Sequence, residues 1–219
     1  MPCCDGCPAG KADVVAQPAS VECSGNVLTW RFVSPDAPVH LAALFRDPGI
    51  QDTRSVSTVL DLCPTENGHV RAGRQCWLGP MLRSLDDLPR GLRLALDNGV
   101  RCPCPTRTCR YSERVTHCLN ATRSWLQSLR HPDGGSPALL VCDRDLARSF
   151  AFLGLLVRED GSTWEAPRPF VNAIGERVRC FDRPALICPH PMVVSRHPRY
   201  RDRMKAVGLA SAIAVLARM

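Results

Sequence analysis

The amino-acid sequence predicts an α+β protein in which helices come first and short antiparallel strands come second. From residue 78 the apolar residues follow helical spacing, whereas from residue 138 they stand in short runs between turns. The 19 prolines and 15 glycines divide the chain into short elements, which argues against a long-helix protein. We expect three parts: residues 1–57, organised by metal; residues 58–194, the α+β domain; and residues 195–219, a basic C-terminal helix or extension.

The elements before residue 78 are short. Residues 27–33 alternate apolar and polar side chains, which predicts a strand. Residues 41–45 are apolar and predict a short helix or strand that ends at Asp47-Pro48-Gly49. Residues 50–57 then read as a polar link between the first two parts of the chain.

Helical spacing predicts two helices in the middle of the chain. The first has its apolar residues on one face: Leu78, Met81, Leu82, Leu85 and Leu88. Pro89 interrupts this pattern, which continues over residues 92–96 and stops at Asn98-Gly99. The block 101–118 is rich in Cys, Pro and Arg and is expected to be irregular. The second helix is expected over residues 119–130, before the turn signal at 131–135.

The last third of the chain predicts strands and a terminal helix. The short apolar runs that predict strands cover residues 138–142, 150–157, 177–181 and 185–188. From residue 197 a basic stretch precedes an apolar run, which predicts a helix that docks on the domain. That run, 206–217, is about 12 residues long and contains Gly208 and Ser211, so we expect no membrane span.

The cysteine content and the charge restrict the compartment and the partners. The N-terminus has no apolar signal segment, so the 13 cysteines are expected to be reduced thiols that bind metal in the cytosol or nucleus. The net charge of +7 rests almost wholly on arginine, since Lys11 and Lys205 are the only lysines. Arginine binds phosphate and carboxylate groups bidentately, so nucleic acid or an acidic protein is a candidate partner. A GC-rich genome explains the same bias.

Two cysteine groups are candidate zinc sites. The first group is Cys3, Cys4, Cys7 and Cys23, in which Cys4-Asp5-Gly6-Cys7 has the spacing of a zinc knuckle. The second group is Cys102, Cys104, Cys109 and Cys118, beside His117. Zinc would order these segments, because the free energy of metal binding becomes free energy of folding. The alternatives are a loose cysteine-rich terminus and a surface loop with incidental cysteines.

Cys76 is the candidate nucleophile. It precedes Trp77 and the predicted helix, whose N-terminus would favour the thiolate form of the cysteine. A cysteine nucleophile requires a histidine base, and His131 and His190 are the candidates downstream. The alternative is that the Cys-Trp pair only packs in the core.

Three short segments resemble a known family. They are Leu44-Phe45-Arg46-Asp47-Pro48, the run from Ser57 to Pro64, and Gly73-Arg74-Gln75-Cys76-Trp77-Leu78. Together they resemble the N-terminal papain-like protease subunit of arterivirus replicase polyproteins. The resemblance implies an N-terminal zinc finger, a papain-like domain with helices before strands, and Cys76 as nucleophile. At the position of the family's catalytic histidine this chain reads Phe152-Leu153-Gly154-Leu155-Leu156.

The resemblance also implies a role. The chain would cleave its own polyprotein once, near its own C-terminus, and then act on host interferon signalling in the host cytoplasm and nucleus. A homodimer is a candidate assembly. The alternative is an inactive zinc-binding protein that binds host proteins, or binds RNA through arginines. Those arginines include Arg101, Arg107, Arg110 and Arg114.

Overall fold

The structure is a computed structural model, and it describes residues 28–32, 36–46, 58–64, 92–100 and 111–219. Its strands are β1 (Leu28–Phe32), β2 (Leu41–Phe45), β3 (Thr58–Pro64), β4 (Arg93–Asn98), β5 (Ala138–Cys142), β6 (Leu156–Arg158), β7 (Arg177–Cys180) and β8 (Arg183–Ile187). Its helices are α1 (Tyr111–Ser128), α2 (Arg144–Phe152), α3 (Pro191–Arg196), α4 (Pro198–Ala206) and α5 (Leu209–Leu216), with a 3-10 turn at Phe170–Ala173.

In the described part of the chain the strands form one mixed sheet in the order β1-β3-β4-β2-β5-β8-β7-β6. The four central strands, β4, β2, β5 and β8, run parallel. Antiparallel pairs extend the sheet on both sides, β3 with β1 on one side and β7 with β6 on the other. All five residues of β2 and all five of β5 are buried. Such continuous burial is typical of parallel strands that are covered on both faces.

Helices cover the two faces of the central strands. Successive side chains of a strand point to opposite faces, so β2 contributes Leu41, Ala43 and Phe45 to one core and Ala42 and Leu44 to the other. The first core is closed by the C-terminal helices through Met204, Leu209, Ile213 and Leu216. The second core is closed by α1 and α2 through Val115, Leu126, Leu146 and Phe150.

The mixed α and β composition is confirmed, and so are strands close to residues 138–142, 177–181 and 185–188. In the described residues, however, β1 to β4 precede the first helix, and the central strands are parallel rather than antiparallel. The predicted helix from Leu78 lies outside the described residues. Strands β1 and β2, from the predicted zinc-finger part, share the sheet with the strands of residues 58–194.

The predicted extension of a helix over residues 92–96 is wrong. These residues form β4, in which Leu94 and Leu96 face one core and Ala95 faces the other. A strand that is buried on both faces has no polar alternation. Its apolar run can therefore be confused with a helical face.

Two helices also differ from the prediction. Helix α1 begins at Tyr111, within the block expected to be irregular, because Val115 and Cys118 turn one face to the core. Helix α2 occupies the start of the predicted strand 150–157, and β6 begins only at Leu156. The basic tail forms the two helices α4 and α5, separated by Gly208 in the left-handed conformation. In the part of the chain that the structure describes, no helix is long and apolar enough to cross a membrane.

The C-terminal helices contact the sheet at a glycine. Gly175 has φ +86°, and a Cβ atom there would lie 2.8 Å from Cγ2 of Val207. We expect Gly175→Ala to lower the free energy of unfolding by about 2–4 kcal/mol, from backbone strain and overpacking together. Urea unfolding measures this change.

Gly161→Ala is the matched control, because Gly161 has φ +83° and nothing lies within 4 Å of its added Cβ. We expect it to cost only the backbone strain, about 1–2 kcal/mol. The double variant Gly175→Ala with Val207→Ala should recover part of the loss. Equal losses for the two alanine variants would contradict a close contact between Gly175 and Val207.

Candidate functional site

The ends of the parallel strands define the candidate site. β2, β4, β5 and β8 all end at the same edge of the sheet, here called the carboxyl edge. In the strand order, β4 lies on one side of β2 and β5 lies on the other side. The chain therefore crosses over β2 between β4 and β5. In open sheets of this kind, ligands bind at the carboxyl edge where the strand order reverses. Arg46, Asp143 and His190 lie there, one or three residues after the ends of β2, β5 and β8.

Asp143 is held behind this edge by helix α2. Its carboxylate accepts hydrogen bonds from the backbone N–H of Asp145 at 2.7 Å and of Leu146 at 3.1 Å, which caps the helix. Its relative exposure is only 9%. Burial raises the pKa of Asp143, the charge of Asp145 adds to this effect, and the two N–H groups and His190 oppose it.

His190 is held between β8 and α3. Its carbonyl oxygen accepts hydrogen bonds from the backbone N–H groups of Val193 and Val194, so the residue belongs to the first turn of the helix. Its ring meets the ring of Phe45 edge to face, with 6.3 Å between the centroids. Because β5 and β8 are parallel neighbours, Asp143 and His190 both follow strand ends at the carboxyl edge.

Arginines lie beside this pair. Nη1 of Arg46 is 3.2 Å from Oδ2 of Asp145, and Nε of Arg144 donates to Oδ1 of the same carboxylate at 3.0 Å. The guanidinium of Arg46 also lies 5.1 Å from the ring centroid of Tyr111, whose hydroxyl donates to the Arg46 carbonyl. The guanidinium of Arg114 lies 5.9 Å from the same centroid.

Two thiols lie beneath the site. Cys142 and Cys188 are the residues just past the last register pair of β5 and β8, Val141 with Ile187, and both are fully buried. Burial raises the pKa of the Cys142 thiol, and the hydrogen bond with Cys188 adds to this effect. A buried thiol with a raised pKa is a poor nucleophile at neutral pH. Cys142 therefore serves as a core residue, and the fully buried Cys188 packs in the same core.

His131 lies at the opposite, amino edge of the sheet. Its Nδ1 is 2.7 Å from Oδ1 of Asp133, and its Nε2 is 3.2 Å from the carbonyl oxygen of Ala217. Its ring contacts the ring of His40, just before β2, with 5.7 Å between the centroids. The pKa of Asp133 is lowered by the backbone N–H of Gly135 and by His131. The structure therefore separates the two candidate bases, His131 and His190.

The remaining predicted site residues are the candidate nucleophile and the candidate zinc ligands. Cys76 and the candidate zinc ligands Cys3, Cys4, Cys7, Cys23, Cys102, Cys104 and Cys109 lie outside the described residues. Cys118 is fully buried in α1. Within the described residues, no group of three or more His, Cys, Asp or Glu side chains is placed to hold a metal ion. Zinc binding stays a prediction.

The residues that sequence reasoning missed are Asp143, Asp145 and Arg144. A signal for them exists, because Asp143-Arg144-Asp145 directly follows an apolar strand and begins with a good helix-capping residue. Their importance depends on a neighbour far along the chain, His190, which the strand pairing of β5 with β8 brings beside them.

No protein-family model matches the chain, and neither does any curated protein.

The raised pKa of Asp143 predicts a pH effect on stability. The folded chain holds the Asp143 proton to a higher pH than the unfolded chain does. The contribution of Asp143 to the free energy of unfolding therefore falls as pH rises from about 3.9 through the folded pKa. Asp143→Asn keeps a capping oxygen and does not titrate. We therefore expect the stability of the variant relative to the native chain to rise with pH across that range, measured by urea unfolding.

Asp160→Asn is the control of opposite sign. The hydrogen bonds from Ser162 lower the pKa of Asp160, which is fully exposed. Its stabilising effect is present above the unfolded pKa and is lost as pH falls, so this variant should lose relative stability as pH rises. The same pH trend in both variants would contradict the assignment of the effect to Asp143.

Proposed function

We propose that this chain is a hydrolase whose acid–base pair, His190 and Asp143, works at the carboxyl edge of the parallel strands. The observation that carries the proposal is that a buried carboxylate and a histidine follow the neighbouring parallel strands β5 and β8, at the edge where the strand order reverses. Imidazole gains and loses a proton near neutral pH, so His190 is suited to move a proton between water and substrate.

Asp143 supports His190 rather than the substrate. Its carboxylate is held by two backbone N–H groups and is almost fully buried, so it acts through the imidazole as a positioning residue. A carboxylate beside a histidine stabilises the imidazolium that forms when the ring takes a proton. The edge-to-face contact with the Phe45 ring limits the orientation of the His190 imidazole. The side chain of Arg46 is 43% exposed and supplies positive charge beside the pair.

A set of ester, peptide and phosphate ester substrates tests this proposal. We expect the His190→Asn variant to lose about 100-fold or more in kcat on the substrate that the native chain hydrolyses, because general acid–base catalysis contributes that much. Asp143→Asn should lower kcat and shift the pH profile. His197→Asn is the matched control, because His197 is an exposed histidine seven residues further along. Equal turnover in His190→Asn and the native chain would contradict the proposal.

A second candidate is the cysteine peptidase that the sequence predicts, with Cys76 as nucleophile. The end of β3 and the start of β4 flank the segment 65–91. Both lie at the amino edge of the sheet. His131 and Asp133 lie at that edge and supply a base with a carboxylate beside it. His131 also contacts the carbonyl of Ala217, which supports cleavage near the C-terminus of this chain.

Translation of residues 1–219 fused to a C-terminal reporter tests the peptidase. The variants are Cys76→Ala, His131→Ala and His190→Ala. We expect Cys76→Ala and His131→Ala to abolish release of the reporter, and His190→Ala to leave it intact. Loss of release in His190→Ala instead would assign the base to the carboxyl edge. Absence of release from the native fusion would contradict a peptidase that cleaves itself.

The remaining parts of the proposal follow the sequence. The cysteine groups of residues 3–23 and 102–118 are proposed to bind zinc, and native mass spectrometry should find about one or two zinc ions per chain. A folded chain without zinc would contradict this expectation. Binding of host proteins or RNA, a homodimer, and a place in the host cytoplasm and nucleus belong to the same proposal.

A further inference from the structure

Three arginines near the carboxyl edge are linked by shared partners. Asp145 lies between the first two, with 3.0 Å to Nε of Arg144 and 3.2 Å to Nη1 of Arg46. Tyr111 lies between the second and the third, since its ring is 5.1 Å from the guanidinium of Arg46 and 5.9 Å from that of Arg114. We call these three arginines the arginine row.

The arginine row is assembled from three separate parts of the chain. Arg46 follows β2, Arg114 lies in the first turn of α1, and Arg144 begins α2. Such a convergence is produced by the fold rather than by one charged stretch. The side chains of Arg46 and Arg144 are 43% and 54% exposed, so a ligand in solution reaches them.

The contacts hold the guanidinium groups in place for an anion. Asp145 fixes the directions of Arg46 and Arg144, and the Tyr111 ring supports Arg46 and Arg114 by cation–π contact. A guanidinium presents donors in a planar fork that matches phosphate oxygens, and fixing it beforehand lowers the entropy cost of binding. The acidic residues next in sequence to the row are Asp47, Glu113, Asp143 and Asp145, and the Asp143 carboxylate is turned into the helix cap.

We propose that the arginine row is a subsite that binds a phosphate group of the ligand that reaches His190. This inference rests on the proposed function only in placing the reacting group beside the row. The ligand class is a phosphate ester, supplied by a nucleotide or by a single-stranded nucleic acid. Three guanidinium groups that share partners suit the several oxygens and the charge of a phosphate better than they suit a neutral substrate.

Fluorescence anisotropy of the full chain tests the subsite with two probes. One probe is a labelled single-stranded oligonucleotide, and the other is a labelled nucleoside monophosphate, each measured at low and at high salt. We expect Arg46→Gln and Arg144→Gln to weaken binding by about 10-fold each, the loss of one charge-assisted contact. Each change should also lower the salt dependence of oligonucleotide binding by about one phosphate contact.

Arg218→Gln is the matched control. It removes the same charge next to Ala217, which contacts His131 at the amino edge, so we expect unchanged binding. Arg46→Lys keeps the charge but loses the fork, and should bind with intermediate affinity. Urea midpoints equal to that of the native chain show that the variants are folded. If the oligonucleotide binds more tightly than the nucleoside monophosphate, the ligand is a single-stranded nucleic acid. If the two probes bind equally, the ligand is a small nucleotide. Both results support the subsite.

Two results overturn the subsite. One is the absence of binding of both probes, and the other is an equal loss in Arg218→Gln and Arg46→Gln. His190→Asn separates this outcome from the proposed function, because that variant should bind phosphate as the native chain does while its hydrolysis is lost. Binding without any hydrolysis in the native chain would support the subsite and contradict the hydrolase. Hydrolysis without phosphate binding would support the hydrolase and contradict the subsite.

Discussion

Burial of the central parallel strands on both faces is the constraint on which the rest of this structure depends. β2 and β5 expose almost no surface, so helices must cover both sides of the sheet. The chain meets this requirement with α1 and α2 on one face and the C-terminal helices on the other. Because the strands run parallel, their carboxyl ends meet at one edge, and the polar residues that follow them are gathered there.

The two edges of the sheet then differ in chemistry. At the carboxyl edge lie a buried carboxylate, a histidine and several arginines. At the amino edge, His131 is engaged with Asp133 and with the carbonyl of Ala217, so it also helps to hold the C-terminal helix. The same residue type therefore has different surroundings at each edge.

Much of the fold was predictable where apolar runs are short and bounded by turns. Residues 138–142 and 185–188 were predicted as strands, and their burial confirms the assignment. β4 was not predictable in this way, because a strand buried on both faces resembles a helical stripe in sequence. The start of α1 was missed because Val115 and Cys118 pack one face of the helix on the core, whereas the surrounding block, rich in Cys, Pro and Arg, predicts no regular element. His190 was predicted as a site residue, but Asp143 and Arg144 were not.

The sequence by itself determined the short elements, the mixed α and β class and the candidate bases, since these depend on local spacing and residue type. Only the tertiary structure decided that the strands at the centre run parallel, that His131 and His190 lie at opposite edges, and that Arg46 and Arg114 share the ring of Tyr111. The physical reason is that strand order and direction join residues far apart in the chain. Local propensity holds no information about such pairs, whereas burial of the central sheet between two layers of helices selects them.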